Sequence, residues 1–481
     1  MSVSYPNTEL FINGKWRAAS SNDWLDVINP ATEESVGKVA VAQISDLDEA
    51  LDAANAAFKL WRKTPPFARY KIMRRAADLL RERADSVAKI MTIEQGKPIA
   101  EAKGETTLGA DTIDWYAEEG RRAYGRVIPS QLANVNQIII KEPVGPVAAF
   151  SPWNFPINQA VRKISGAVAA GCSIILKGPE DTPASCAELV RAFVDAGIPD
   201  GVINLVYGVP ADISNYLIPH PIIKKISFTG STAVGKELAS LAAQHMKLST
   251  MELGGHAPAI VFNDADLTAA LDVLTTQKFR NAGQVCVAPT RFLVQDELYE
   301  KFVDGYVKLA KKVKLGNGLD SSTSMGPLAH DRRLAAVEEL VQDAVDLGAK
   351  IHCGGQRPKN VGYFYPPTVL TGVPKSARMM NEEPFGPVIP ISSFKTVDEV
   401  LMEANRLPYG LSAYAYTASS ETADRVGREI ESGIIGINHH GQPAVETPFG
   451  GIQDSGQGKE NGSEGLESYM HSKLISHKTT P

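Results

Sequence analysis

From residue 144 to residue 236 the chain repeats one pattern, a short apolar run, a turn and then a longer amphipathic run. The apolar runs stand at 144–150, 173–177, 201–207 and 225–228, with helical periodicity over about 159–171 and again after Thr182 and Pro183. Runs that are apolar throughout suit strands buried on both faces, the condition of a parallel sheet covered by helices. Parallel neighbours need a crossover, usually a helix, so the pattern predicts a doubly wound α/β sheet. Thr182 and Pro183 open a helix, and Gly197 with Pro199 closes it. After Gly255 the alternation resumes: strands are expected at 259–262, 291–294, 350–353 and 388–392. Helices are expected from Asp264, as a cap, toward Asn281, and over about 297–312, 331–347, 397–405 and 421–431. This reads as a second α/β domain.

Ahead of the alternation, Leu47, Ala50, Leu51, Ala54, Phe58 and Trp61 recur at helical spacing, with Ser45 and Asp48 as the expected cap and its partner. Amphipathic runs cover about 68–95 and 100–122. Residues 127–128 and 135–141 then read as strands around a polar turn. Such a hairpin has no core of its own, and an unpaired sheet edge either finds another subunit or invites aggregation. We read it as an oligomerisation element; the alternative is a hairpin that caps its own domain. The tail over 468–477 supplies one more strand.

Composition narrows the partners. Forty-three per cent hydrophobic and 22% charged residues in a chain of 481 describe a globular protein with a large core and two or three domains. The net charge of −6 comes without a basic block, and the lysines of 308–314 alternate with apolar residues, which excludes a nucleic-acid patch. A membrane span needs about 20 apolar residues. The longest such stretch, 164–176, is shorter and is interrupted by Ser165, Gly166, Gly171 and Ser173. The first eight residues are polar, so no secretory signal is expected, and four cysteines without a C-x-x-C pair suit a reducing cytoplasm. No Cys/His cluster points to a metal; His439 and His440 are adjacent, and such a pair in a loop does not converge on an ion unaided.

Two stretches carry chemistry. In Phe279-Arg280-Asn281-Ala282-Gly283-Gln284-Val285-Cys286, turn-forming residues put the cysteine on a loop, where a small molecule can reach it. In Met251-Glu252-Leu253-Gly254-Gly255, a carboxylate is followed by a backbone that a ligand can approach closely. A nucleophile and a base together suggest covalent catalysis through sulfur. The turn from Gly230 to Gly235 is a G-x-x-x-x-G at a helix start, which either holds phosphate or simply turns. Lys177 and Glu180 follow a strand at its carboxyl end, where open α/β sheets bind ligands. They either hold a ribose or form a surface ion pair.

Over nearly its full length the chain resembles the NAD(P)-dependent aldehyde dehydrogenases. The resemblance rests on Pro152-Trp153-Asn154-Phe155-Pro156, Lys177 with Glu180, Phe228-Thr229-Gly230-Ser231 with Gly235, Glu252-Leu253-Gly254-Gly255, Gly283-Gln284 with Cys286, Glu383-Pro384-Phe385-Gly386-Pro387 and Pro448-Phe449-Gly450-Gly451. It implies the fold of that family: two doubly wound parallel-sheet α/β domains plus a β-hairpin oligomerisation element, in a homodimer or homotetramer. Residues 1–122 and 144–254 would bind NAD, 255–455 would form the catalytic domain, and 123–143 with 456–481 the oligomerisation element.

The same resemblance implies roles. Cys286 attacks an aldehyde carbonyl, the Asn154 side chain and the Cys286 backbone N–H stabilise the oxyanion, and Glu252 activates water to hydrolyse the thioester. Lys177 and Glu180 hold the adenosine ribose. Gly230, Ser231 and Gly235 belong to the pyrophosphate turn, and Glu383 holds the nicotinamide ribose with Phe385 packed nearby. Trp153 helps form the wall beside the nicotinamide, and Leu253 also belongs to the cofactor-binding residues. Glu180 would repel a 2′-phosphate, so NAD is expected over NADP, with Lys177 partly offsetting the preference.

Arg280 and Arg162 suggest a clamp for a terminal carboxylate, which arginine binds bidentately, with Gln159 assisting. The pair resembles that of succinate-semialdehyde and 2-oxoglutarate-semialdehyde (2,5-dioxopentanoate) dehydrogenases; each arginine is otherwise a structural ion pair. The serine some of these carry before Pro448 is missing from 441–447, and Ala288 stands where some carry a second cysteine, so no local disulfide is expected. Other readings are a broad-specificity enzyme for uncharged aldehydes, a coenzyme-A-acylating dehydrogenase, and a non-catalytic binding member of the fold. Glu252 argues against the acylating type, and Cys286, Asn154 and Glu252 together argue against the last.

Overall fold

A computed structural model describes residues 5–440 and 444–479. Its first sheet has eight strands. Five run parallel, in the order Ile203–Val206, Ile174–Lys177, Val147–Phe150, Lys225–Thr229 and Leu248–Glu252. Helices Pro156–Ala170, Pro183–Asp195 and Thr232–Gln244 connect or flank them. The three strands at 147–150, 174–177 and 203–206 are buried at every residue, as expected of a sheet covered on both faces. The chain closes the two ends antiparallel: Leu10–Ile12 and Lys15–Arg17 beyond Ile203–Val206, and Gly456–Gln457 beyond Leu248–Glu252. The second sheet orders Lys350–Cys353, Thr368–Thr371, Val388–Phe394, Pro289–Gln295, Ala257–Val261, Ser412–Tyr416 and Ile434–Ile437. All its pairings are parallel except the first.

The expected hairpin forms, and the chain's own tail covers one of its edges. Met470–Lys478 pairs antiparallel with Val135–Pro143 along its whole length, and Arg126–Ile128 pairs on the other side. The resulting three-stranded sheet carries exposed Val127, Leu474 and Ile475, with exposed Leu132 in the turn of the hairpin. The segment 456–481 is not one unit, however. Gly456–Gln457 joins the first sheet, Gly462–Glu467 packs on the helices Ile99–Glu119 and Pro156–Ala170, and only Met470–Lys478 joins the hairpin.

Several expected caps are replaced by other residues. The helix Ile44–Trp61 starts before Ser45; Asp46 accepts the N–H of Gln43 at 2.8 Å and is held by Arg17 at 2.8 Å. The run over 68–95 is two helices, Pro66–Glu82 and Ala84–Gln95, broken at Arg83. Asp266, not Asp264, caps Leu267–Phe279 by accepting the Ala269 N–H at 3.0 Å. Asp264 instead gathers Thr417, Ala418 and Ser419. Thr182 occupies a cap position without a capping bond, because the buried Glu94 accepts the N–H groups of Ala184 and Ser185. Among the described residues no helix is long and apolar enough to cross a membrane, and no group of three His, Cys, Asp or Glu could hold a metal.

Candidate active site

Register puts the expected residues together. Phe150 stands opposite Lys177 on one side and Phe228 on the other, and Thr229 opposite Glu252. Trp153 and Asn154, Lys177, Gly230 and Glu252 therefore all emerge at the carboxyl ends of adjacent parallel strands, where such sheets bind ligands. A cavity of about 480 Å³ takes in Lys177, Glu180, Ser231 and Glu237. A second of about 280 Å³ takes in Asn154, Glu252, Leu253, Cys286, Glu383 and Phe385. Both are lined by Pro152, Trp153, Thr229, Gly230 and Ser231, so they form one groove. Gly235 does not line it. A Cβ there would fall 2.2 Å from Leu253, so this glycine lets the helix Thr232–Gln244 sit down on Leu253.

The cysteine loop bends sharply. After the helix Leu267–Phe279, Asn281, Ala282 and Gly283 have φ of 48°, 52° and 75° in succession. The left-handed region costs a non-glycine residue about 1–2 kcal/mol, so surrounding contacts must hold this turn. Gly283 passes the 383–387 motif so closely that a Cβ would lie 2.3 Å from the Gly386 oxygen. A Cβ on Gly255 would lie 2.9 Å from the Cys286 oxygen, which explains the second glycine of the Glu252 motif.

Cys286 also lines a third cavity, of about 50 Å³, with Gln159, Arg162, Arg280, Phe155 and Phe449. The sulfur thus stands where the groove meets a narrow tunnel. At the tunnel, Arg162 lies 4.2 Å over the Phe449 ring and 3.9 Å from Glu460. Arg280 lies 5.3 Å over the Phe155 ring, its Nε is buried without a hydrogen-bond partner, and among the described residues it has no ion pair. Gln159 likewise keeps a buried, unpartnered Oε1. Residues 441–443, part of the loop without a serine, lie outside the described residues.

Burial dominates the electrostatics. It pushes the Cys286 thiol up to about 12, with Glu383 adding to the shift and Arg162 and Arg280 opposing it. Both carboxylate oxygens of Glu252 are buried without partners, and burial with the neighbouring Glu460 raises this acid well above the carboxylate range. Lys163 bridges Glu460 at 2.6 Å and pulls the other way. Glu383 accepts the Gly255 N–H at 3.2 Å and is raised to about 7 by burial. Lys177 bonds Glu180 directly, and burial moves the two toward neutrality.

Sequence reasoning missed His330 and Arg333, which line the groove beside Glu383, and Arg332 at its wider end. His330 meets Trp153 edge-on at 5.4 Å, and Trp153 meets Phe385 at 5.7 Å. These residues open the helix Asp331–Asp346, and no local pattern marks that helix as facing the first sheet.

Residues 16–475 match the aldehyde dehydrogenase family. A 4-(hydroxymethyl)benzenesulfonate dehydrogenase of Comamonas testosteroni is 45% identical over 98% of this chain and 98% of its own. The NADP(+) succinate-semialdehyde dehydrogenase of Escherichia coli is 42% identical over 97% of each. A crystal structure of succinate-semialdehyde dehydrogenase from Burkholderia pseudomallei superposes with a TM-score of 0.96 over 98% of both chains at 40% identity.

Proposed function

The chain belongs to the aldehyde dehydrogenase family, and from that premise we propose that this enzyme oxidises an ω-carboxylated aldehyde, succinate semialdehyde or 2-oxoglutarate semialdehyde, to the dicarboxylic acid. The observation that carries the proposal is Arg280: a half-buried side chain whose Nε is buried without a hydrogen-bond partner and which, though attracted by Glu101, has no ion pair among the described residues, in a tunnel that starts at Cys286 and also holds Arg162. A partly desolvated guanidinium with an unmet donor is costly, and an anionic substrate end offsets that cost.

In this reading the Cys286 thiolate adds to the aldehyde carbon. The Asn154 amide and the Cys286 N–H donate to the oxygen that gains charge. The groove fits a dinucleotide: Lys177 and Glu180 stand at its wide end, and Gly254 leaves a cradle where a Cβ would lie 2.6 Å from Glu383. When bound, the oxidised nicotinamide supplies the hydride acceptor that turns the thiohemiacetal into a thioester. Glu252 then takes a proton from water, and the hydroxide released onto the thioester carbon expels the sulfur. Glu180 beside Lys177 favours NAD over NADP. We assign the cofactor to 1–122 with 144–254 and the catalytic loop to 255–455, and we assign self-association, as a homodimer or homotetramer, to the three-stranded sheet with its exposed apolar side chains.

The likeness to an enzyme named for a benzenesulfonate favours a second reading, a sulfonated aldehyde, since a sulfonate offers the same charge to the two arginines. Steady-state kcat/KM over carboxylated, sulfonated and uncharged aldehydes, for the native enzyme and Arg280→Ala, separates these. We expect Arg280→Ala to cost roughly 10- to 100-fold on the anionic substrates, the worth of a charge-assisted hydrogen bond, and to spare propanal. Equal losses on all three classes would remove the clamp and leave a broad-specificity enzyme.

A further inference from the structure

The main-chain oxygen of Asn154 is gripped from two sides. Lys97 Nζ donates to it at 2.8 Å and Asn281 Nδ2 at 2.9 Å. Lys97 reaches it from the turn between the helices Ala84–Gln95 and Ile99–Glu119, whereas Asn281 belongs to the cysteine loop. We infer that Lys97 and Asn281 are positioning residues that hold Asn154 in register with Cys286 across the junction of the two sheets, an inference that rests on the reading of Cys286 as nucleophile and Asn154 as oxyanion donor.

Each grip is anchored in turn. Lys97 is fully buried, bonds Glu105 Oε2 at 2.6 Å and lies 3.9 Å over the Phe155 ring. Glu105 uses its other oxygen to accept the N–H groups of Ile157 at 2.9 Å and Asn158 at 3.1 Å, which caps the helix Pro156–Ala170 that follows Asn154. A buried ion pair adds little stability by itself, but fully hydrogen-bonded it fixes geometry. On the other side, Asn281 Oδ1 accepts from Gln95 Nε2 at 2.8 Å, and its N–H donates to Glu101 at 2.8 Å. Asn281 Nδ2 also reaches the Gln284 oxygen at 3.3 Å. The oxyanion donor and the nucleophile therefore share one buried frame, whose far members, Gln95 and Lys97, lie outside the groove and tunnel linings.

Removing the Asn281 side chain need not loosen the cysteine loop. Gln284 keeps its N–H and Nε2 bonds to the Asn281 oxygen, both at 3.0 Å, and its Oε1 still accepts the Ala329 N–H at 2.9 Å. The bonds lost are those to Asn154, to Gln95 and, at 3.3 Å, to the Gln284 oxygen, which keeps its bond from Asn154 Nδ2. Oxyanion stabilisation depends on sub-ångström placement, and a misplacement near 1 Å costs on the order of 100-fold in rate. Alkylation of the same sulfur by iodoacetamide passes through no oxyanion and does not depend on Asn154.

Asn281→Gly is the informative variant, because glycine accepts the φ of 48° and no charge is stranded. Lys97→Met is the partner test from the other side, although it leaves Glu105 without its cation. For Asn281→Gly we expect kcat to fall about 10- to 100-fold with KM for the aldehyde unchanged. Iodoacetamide should inactivate it as fast as the native enzyme. An unchanged kcat would overturn the inference, as would alkylation that slows in proportion to kcat, which is the mark of a merely disordered loop. Should Lys97→Met fail to fold, Asn281→Gly decides alone. Full aldehyde oxidation by Cys286→Ala would instead overturn the underlying reading, and this inference with it.

Discussion

The side-chain Nδ2 of Asn154 donates at 3.1 Å to the main-chain oxygen of Gln284, two residues before Cys286. An amide nitrogen carries two hydrogens, so one is spent on this tether and one remains for an oxygen held above the sulfur. Asn154→Ala should lower kcat about 10²- to 10³-fold, the usual cost of one oxyanion donor. Cofactor binding, followed by fluorescence titration, should stay as in the native enzyme. An undiminished kcat would take Asn154 out of the chemistry.

The acid–base groups set a pH dependence whose sign is fixed. Burial disfavours the anionic forms of both Cys286, pushed up to about 12, and Glu252, raised well above its usual range. In the proposed mechanism both reactive forms are deprotonated, so each gains population as pH rises. The steady-state rate should climb between about pH 6 and about pH 9, and iodoacetamide inactivation should climb with it. Adding the oxidised dinucleotide, whose nicotinamide is cationic, should move the inactivation curve to lower pH. A rate that falls over that interval would contradict the assignment.

The two arginines should separate by their effects. Arg162 lies 3.9 Å from Glu460 and opposes the rise of the Glu252 acid, whereas Arg280 has no ion pair among the described residues. Arg162→Met should therefore shift the alkaline rise to higher pH as well as weaken anionic substrates. Arg280→Met should weaken anionic substrates and shift the rise less, because Arg280 opposes the rise of the Cys286 thiol but not that of the Glu252 acid. Identical pH profiles for the two variants would refute this division.

Gly450 bounds the other side of Glu252. A Cβ there would lie 2.5 Å from Glu252 Oε1, too close to be tolerated. Gly450→Ala should displace the carboxylate and slow thioester hydrolysis more than hydride transfer. Stopped-flow absorbance should then show a burst of reduced cofactor followed by a slow steady state. A uniform slowing without a burst would place the damage elsewhere.

In the proposed reading cofactor choice turns on Glu180, which bonds Lys177 at the wide end of the groove. Glu180→Gln removes the charge that repels a 2′-phosphate and leaves the lysine to attract one. The ratio of kcat/KM with NADP to that with NAD should rise roughly tenfold, the worth of about 1.4 kcal/mol. A constant ratio would show that the 2′ position lies away from this pair.

Much of the fold and site was legible in the order of residues. Apolar runs buried on both faces announced the parallel strands at 147–150, 174–177 and 203–206, and the motifs around Cys286, Glu252 and Glu180 singled out residues that the structure brings to one groove. What stayed hidden has a common cause. Glu94 caps a helix 90 residues away, Lys97 grips Asn154 across 57 residues, and Gln43 with Asp46 takes the cap and partner places that the local pattern gave to Ser45 and Asp48. Likewise, the strand Leu248–Glu252 is exposed at one end and carries no clean alternation. Periodicity reports only how a segment divides between core and solvent. Which polar atom a distant backbone group finds depends on how whole layers dock, and that was settled only when the two sheets came together around the cysteine loop.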